Sequence, residues 1–414
     1  MSEPTAATGA RPVTNGGVIA VAIGLMNVGT YGFTIVAARG LGPTQYGAFA
    51  AVMNMLMVVS VASLALQATA ARRISSTPGD VSEIEDGVRR VTWRVALGLG
   101  AALIAVAPIV NIVLKLESLW TAVLVGVIAV PVTVMGGQAG TLQGERRWKP
   151  LALLYAAAGV PRLVVGGALI LWHPEEFTAT LGVLFGALAP VAVGAIALRH
   201  RVHVDREALV GQPTDHSGRA LLRESVRNSQ ALLAFFAVTN VDVIVARSVL
   251  DNHDSGLYAA GLILAKAVLF LPQFVVVLAF PDMADSGERR RALRLSLGAV
   301  AGLGVVGVLV TFALSHVALI FVGGSEYADV ENRLWLFAVL GTLLSMIQLL
   351  VYALIAQMGS KAALLIWLAL AVIIAGAQFA DSVLSLLLLV TCVDALLFVG
   401  LLVPVLLRAP RVLT

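Results

Sequence analysis

Four ionisable residues lie inside long apolar stretches of the sequence: Arg162, Asp242, Lys266 and Asp394. On insertion scales, an ionised side chain at the centre of a membrane costs roughly 2.5–3.5 kcal/mol. Such residues therefore line a polar pathway or pair with one another. Counted at ~1.5 Å of helix rise per residue, all four lie close to the midplane of their stretches. The sequence thus predicts one polar site at this depth.

The two cations and the two carboxylates favour different chemistry. Arg162 and Lys266 supply positive potential, and the fork of an arginine suits phosphate oxygens. Asp242 and Asp394 are candidates for binding a coupling proton or cation. The alternative is structural. Asp242 and Lys266, at equal depth on successive antiparallel helices, would then form an ion pair, and Arg162 would serve only the packing.

Other polar residues are candidates for contacts with the same ligand. Arg39 and Arg247 lie at the ends of apolar stretches, where they either face the exit of a cleft or snorkel to lipid headgroups. Asn27 and Asn240 either bind ligand hydroxyl groups or make interhelical hydrogen bonds, as amides in membrane helices commonly do. The same two interpretations apply to the other polar span residues, Asn54, Gln67, Gln138, Gln273 and Gln348.

The composition is that of an integral membrane protein. Of the 414 residues, 59% are hydrophobic and 13% are charged, about half the charged fraction of a typical soluble domain. A single cysteine excludes a disulfide framework, and no clustering of His or Cys predicts a metal site or cofactor. Twelve stretches are long enough to cross a ~30 Å hydrocarbon layer as helices. They are 17–38, 46–70, 92–114, 119–142, 151–172, 177–198, 229–250, 257–280, 292–322, 329–357, 361–380 and 382–407.

Positive charge is distributed unequally between the two sides of this arrangement. Of the 28 Lys and Arg residues, 22 lie in the tails and loops on one side and four on the other. Loops rich in Lys and Arg remain cytoplasmic. We therefore expect both termini to be cytosolic.

A motif recurs after the midpoint of the chain. The segment 38–52, ARGLGPTQYGAFAAV, is echoed by 246–262, ARSVLDNHDSGLYAAGL. Each copy follows the first span of a group of six, so both groups enter the membrane from the same side and the repeats are parallel. The principal matches are Arg39 with Arg247, Gly47 with Gly256, and Phe49-Ala50-Ala51 with Tyr258-Ala259-Ala260.

The repeat predicts the domain organisation. We expect two parallel six-helix lobes, 17–198 and 229–407, around a central cleft. The polar segment 199–228 would form a cytosolic linker whose end is an amphipathic helix on the membrane surface. Residues 1–16 and 408–414 would be cytosolic tails, the first of them disordered.

These motifs resemble the polysaccharide transporter (O-antigen-flippase-like) family of the multidrug/oligosaccharidyl-lipid/polysaccharide exporter superfamily. The resemblance covers the whole chain and implies an all-α, MATE-like fold. It also implies that a lipid-linked saccharide moves from the inner to the outer leaflet by alternating access, without ATP hydrolysis. The residues that carry it are Arg39-Gly40-Leu41-Gly42-Pro43, Tyr46-Gly47, Leu142-Gln143-Gly144, Arg146-Arg147, Asp242, Gly256-Leu257-Tyr258-Ala259-Ala260, Leu271-Pro272 and Phe280-Pro281.

The resemblance implies a polyprenyl-(pyro)phosphate-linked saccharide as cargo and the cytoplasmic (inner) membrane as location. Anionic lipids, a polysaccharide polymerase and glycosyltransferases are the expected partners, and nucleic acid is not. Two alternatives remain. One is a cation-coupled multidrug antiporter of the same superfamily, which Asp242 and Asp394 would suit. The other is a membrane glycosyltransferase or ligase, although the short outer loops contain no recognisable catalytic pair.

Overall fold

The computed structural model describes residues 12–76, 81–199, 218–268, 289–355 and 360–407. These residues form thirteen α-helices and one 3-10 helix, with no strand among them. The elements are α1 (Pro12–Ser76), α2 (Val81–Ala105), α3 (Ala107–Val113), α4 (Leu119–Gly144), α5 (Trp148–Trp172), α6 (Glu176–Arg199), α7 (Gly218–Val249), α8 (Asn252–Val268), α9 (Arg289–Ala313), α10 (Ser315–Val322), the 3-10 helix η1 (Ser325–Arg333), α11 (Leu334–Ile355), α12 (Ser360–Ala377) and α13 (Val383–Leu407).

Helix α1 is kinked at Gly42 and contains two spans. Its 65 residues would extend about 98 Å if straight, some three times the thickness of a hydrocarbon layer. Gly42 has φ 67° and ψ 170°, a backbone conformation that glycine adopts without steric cost. A Cβ at this position would lie 2.9 Å from Glu326 Oε2. The kink is therefore the turn predicted within 38–52.

The described helices account for the predicted spans. Seven of them are long and apolar enough to cross a membrane, or eight if α2 and α3, bent by 55°, form one span. Helix α1 counts once in this total although it contains two spans, and α8 is described for only 17 residues. Each of the twelve predicted stretches falls on a helix or on a pair of consecutive helices, the eighth as far as Val268. The protein is a multi-pass membrane protein.

The helices pack as two lobes. The helices of α1–α6 pack against their neighbours in that group, and those of α7–α13 do the same. Across the interface, α1 contacts α7, α8, α10 and η1, and α2 contacts α7. Within the first lobe, α4 packs closely on the second half of α1 through glycines spaced four residues apart. Cβ atoms at Gly136, Gly140 and Gly144 would lie within 3 Å of atoms of α1, and small residues of this kind let membrane helices approach. The all-α, two-lobed architecture is the predicted one.

Two predicted boundaries differ from the structure. Helix α1 begins at Pro12, inside the segment 1–16 that was expected to be disordered, and proline is well tolerated in the first turn of a helix. Helix α7 runs without a break from Gly218 to Val249, so the described part of the amphipathic stretch is continuous with span seven. Its 32 residues extend about 48 Å, longer than a hydrocarbon layer is thick. Residues 1–11, 200–217 and 408–414 lie outside the described part.

Candidate functional site

Lys266 connects the two lobes. It lies on α8, and its ammonium donates hydrogen bonds to Asn54 Oδ1 on α1 and to Asn240 Oδ1 on α7, the latter at 3.1 Å. The side chains of Asn54 and Asn240 are buried. We call these three residues the interlobe lysine site, because Asn54 belongs to the first lobe and the other two to the second.

Both asparagines are oriented by their own helices. Asn54 Nδ2 donates to Ala50 O at 2.7 Å, and Asn240 Nδ2 donates to Phe236 O at 2.8 Å, each four residues earlier in its helix. Because each amide nitrogen is occupied in this way, each amide oxygen is directed at the ammonium. Lys266 is thus held by two uncharged acceptors.

Arg162 lies on α5 and contacts α1 next to the interlobe lysine site. Its Nη2 is 3.4 Å from Met53 Sδ, and its Cζ is 5.8 Å from the centroid of the Phe33 ring. Its buried Nε has no hydrogen-bond partner in the part of the chain that the structure describes. Arg162 contacts Met53 and Lys266 contacts the next residue, Asn54, so the two cations lie beside the same turn of α1. Within the described ranges neither cation forms an ion pair with a carboxylate.

The two midplane carboxylates lie together in the second lobe. Asp242 is 2% exposed and accepts hydrogen bonds from Tyr258 Oη at 3.2 Å and Val243 N at 2.9 Å. Asp394 on α13 is completely buried, and neither of its oxygens has a hydrogen-bond partner among the described residues. The two carboxylates interact electrostatically, and so do Asp242 and Lys266. We call Asp242 and Asp394 the carboxylate pair.

The direct ion pair between Asp242 and Lys266, one of the two sequence interpretations, is not formed. Asp242 is directed at Tyr258 and at its own helix, whereas Lys266 is directed at the two asparagines. The charges attract one another without making contact. Depth estimated from helix rise does not determine which way each side chain points around its helix.

Arg247 has neither of the two environments predicted for it. It is 1% exposed, so it faces neither an open cleft nor lipid headgroups. It donates instead to carbonyl groups of three separate segments, including those at the end of α3, where helical carbonyls lack intrahelical partners. Its acceptors are Leu114 O (2.9 Å), Lys115 O (3.0 Å), Thr44 O (3.3 Å), Asn252 O (3.3 Å) and Ser255 Oγ (3.1 Å).

Other interlobe bonds lie at the same end of the molecule, which we call the elbow end because it contains the kink at Gly42. The exposed Arg39 donates through Nη2 to Ile320 O at 2.5 Å. Lys115 Nζ donates to Leu250 O at 2.8 Å, and Tyr327 Oη to Ala38 O at 2.7 Å. The two lobes are therefore joined at the elbow end by hydrogen bonds, and each lobe supplies donors to carbonyl groups of the other.

The two copies of the repeated motif contact each other at the elbow end. A Cβ at Gly256 would lie 1.8 Å from Pro43 O, and one at Gly47 would lie 2.8 Å from Gly256 N. No side chain fits at either position while the lobes are in contact. The glycines matched in the sequence thus lie in a close contact between the lobes.

Three further residues complete the comparison with the sequence. Asn27 is half-buried on α1 and makes no hydrogen bond to other described residues, so nothing joins it to the interlobe lysine site. Asn54 was one of several polar span residues that the sequence suggested, without its contact to Lys266, and the role of Tyr258 was not recognised from the sequence. For Tyr258 a signal existed, because its counterpart in the first copy of the motif is Phe49 and the added hydroxyl is what binds Asp242.

Comparison with solved structures identifies the fold. The chain overlays an inward-facing multidrug resistance MATE family transporter of the MOP superfamily with TM-score 0.70 and 12% identity, covering 92% of this chain and 94% of that one. For the lipid II flippase MurJ in an inward closed conformation the TM-score is 0.71 at 12% identity, covering 95% and 87%. An outward-facing MATE family transporter gives 0.57 at 13% identity, covering 94% and 95%.

Sequence comparison places the chain in a family. No curated protein matches it. The family model described as "Polysaccharide biosynthesis protein" matches residues 13–286, well over half of the chain, in agreement with the resemblance seen in the motifs. The chain therefore belongs to the polysaccharide biosynthesis protein family, and it has the fold of the MATE and MurJ transporters.

Proposed function

We propose that the protein is a flippase that moves a polyprenyl-(pyro)phosphate-linked saccharide across the cytoplasmic membrane by alternating access. The observation that carries this proposal is the pair of cations, Arg162 and Lys266, which contact the consecutive residues Met53 and Asn54 of α1. Both lack a contacting carboxylate among the described residues. A cation kept in a membrane without a paired anion is costly, and a phosphate or pyrophosphate of the cargo would supply the missing anion.

The interlobe contacts support alternating access. The lobes are hydrogen-bonded at the elbow end, which the Lys and Arg distribution predicts to face away from the cytosol. Such a state would admit cargo from the cytosolic side. The overlap with the inward-facing transporter, TM-score 0.70, exceeds the 0.57 obtained with the outward-facing one. We infer that the cycle requires the elbow end to open.

The carboxylate pair is our proposed coupling site. Asp394 is completely buried without a donor in the described part, and Asp242 interacts with it electrostatically. Two buried carboxylates at close range are strongly destabilised unless a proton or a cation neutralises one of them. A proton or small cation bound there would supply the driving force without ATP.

The multidrug antiporter is the second candidate, and the same carboxylate pair favours it. The decisive difference is the sign of the cargo, because a cationic drug would be repelled by Arg162 and Lys266. A membrane glycosyltransferase would instead leave a covalently altered lipid. The polymerase, the glycosyltransferases and anionic lipids remain predicted partners.

Reconstituted vesicles distinguish these functions. We expect the protein to translocate a labelled polyprenyl-pyrophosphate oligosaccharide without ATP, whereas a neutral glycolipid without phosphate stays in its leaflet. The recovered lipid should have an unchanged mass. Transport of a cationic dye in exchange for protons or sodium, without lipid translocation, would identify an antiporter instead, and a lipid of altered mass would identify an enzyme.

A further inference from the structure

Both hydrogen-bond acceptors that hold Lys266 are uncharged, and cargo binding by Lys266 does not by itself require this. The ammonium could be held across the lobe interface by a carboxylate, as buried lysines commonly are. Both acceptors are amides instead, and each is locked by a bond to its own helix. An amide orients the lysine but leaves its charge intact, whereas a carboxylate at the same distance would neutralise it.

We propose that Asn54 and Asn240 determine the charge selectivity of the site by holding Lys266 in position while leaving its positive charge available to a phosphate-class anion. This inference rests on the proposed function and adds two specificity-determining residues to it. Asn54 is the more informative of the two, because among the described residues it is the one that carries no charge and reaches Lys266 from the opposite lobe.

The geometry also indicates how the anion would enter. An ammonium has three donor hydrogens, and within the described residues two of them are accounted for by Asn54 and Asn240. An anion can therefore take the third position and then compete with Asn54. A phosphate oxygen carries a full negative charge and an amide oxygen only a partial one, so the ammonium attracts the phosphate more strongly than it attracts the amide. Competition at Asn54 would weaken a bond between the lobes.

The test is a matched pair of substitutions at one position. Asn54→Asp keeps the shape and the hydrogen bond to Lys266 but adds a negative charge, whereas Asn54→Ala removes the hydrogen bond and leaves the charge of Lys266. We expect Asn54→Asp to lower the affinity for a polyprenyl-pyrophosphate disaccharide about tenfold or more, the scale of a lost charge-assisted hydrogen bond. Asn54→Ala should retain most of that affinity.

Thermal unfolding in detergent separates selectivity from folding. The midpoint of Asn54→Asp should stay close to that of the unchanged protein, because a contact between opposite charges across the lobes offsets the lost hydrogen bond from Asn54 Nδ2 to Ala50 O. Asn240→Asp provides a second, independent test with the same expected loss of affinity. Unchanged affinity in both aspartate variants, or an equal loss in Asn54→Ala and Asn54→Asp, would overturn the inference.

Three probes distinguish the sources of the anion. They are the polyprenyl-pyrophosphate disaccharide, vesicles of phosphatidylglycerol, and inorganic pyrophosphate. If only phosphatidylglycerol binds in an Asn54-dependent way, the inference on selectivity stands and the proposed cargo is wrong. If the lipid-linked saccharide is translocated equally by the unchanged protein and by Asn54→Asp, the proposed function stands and the inference fails.

Discussion

Charged side chains in the middle of the protein have uncharged neighbours. Arg162 is surrounded by Met53 and Phe33, Lys266 by two asparagines, and Asp394 has no hydrogen-bond donor among the described residues. Removing a charge from water costs several kcal/mol unless attraction to a partner of opposite charge offsets that cost. Residues that only stabilised the fold would be better replaced by apolar side chains. We therefore expect the unpaired charges to take part in the proposed transport cycle.

The carboxylate pair gives a prediction at this scale. Asp394→Asn removes a buried carboxylate without a donor, so the unfolding midpoint should stay the same or rise. Transport driven by an imposed proton or sodium gradient should fall by about 5- to 150-fold, the range of coupling free energies of 1–3 kcal/mol. The measurement is gradient-driven translocation in vesicles beside a detergent unfolding curve. A destabilised variant with full gradient dependence would show that Asp394 is structural.

The sequence predicts which residues matter at this scale better than it predicts their contacts. Arg162, Asp242, Lys266 and Asp394 could be found because a charge in an apolar stretch is conspicuous and its depth follows from helix rise. The contact of Asn54 with Lys266 could not be predicted, because it depends on how α1 and α8 are aligned with each other across the lobe interface. Arg247 was misjudged for a related reason, since three separate chain segments supply its acceptors.

Among the elements, α1 determines much of the site. Its first half supplies Phe33 to Arg162, and its second half supplies Met53 and Asn54. The angle between the halves is set at Gly42. The hydropathy pattern located both spans but did not show that they form one kinked helix through Pro43. A turn between two helices and a kink within one helix have the same apolar pattern on either side.

The kink can be tested by substitution. Gly42→Ala forces a side chain onto a positive-φ, extended backbone that is essentially restricted to glycine, at a cost of about 1–3 kcal/mol, and brings its Cβ 2.9 Å from Glu326 Oε2. We expect the unfolding midpoint in detergent to fall by a few degrees. Gly24→Ala on the same helix is the matched control, since a Cβ there meets nothing within 4 Å and should cause no loss. Equal midpoints for the two variants would contradict this account of the kink.

For the whole molecule, the elbow end is the contact that alternating access must break. Arg247, Lys115 and Arg39 join the lobes there, and the two copies of the repeated motif touch through Gly47 and Gly256. The sequence revealed the repeat but not that its two copies would meet. Their meeting follows from the parallel arrangement of the lobes, which brings the same end of each to one side of the membrane.

Cysteine labelling measures this closure. In a Cys392→Ser background, Ser255→Cys lies in the contact, where Ser255 is 1% exposed, whereas His253→Cys lies just outside it on an exposed side chain. A membrane-impermeant maleimide added from the elbow side should label His253→Cys readily and Ser255→Cys slowly. Adding Arg247→Gln should speed the labelling of Ser255→Cys, because it removes bonds between the lobes. Rapid labelling of Ser255→Cys without Arg247→Gln would mean that the elbow end is open at rest.

The central claim is that Arg162 and Lys266 carry the anionic group of the cargo. The most direct measurement is ATP-independent translocation of a labelled polyprenyl-pyrophosphate saccharide by Arg162→Ala and Lys266→Ala in vesicles, with unfolding midpoints confirming the fold. We predict that each variant loses about 10- to 150-fold in rate, corresponding to a lost charge-assisted hydrogen bond of roughly 1.5–3 kcal/mol. Arg162→Lys, which keeps the charge but not the fork, should fall between. Translocation at the unchanged rate in both alanine variants would contradict the account.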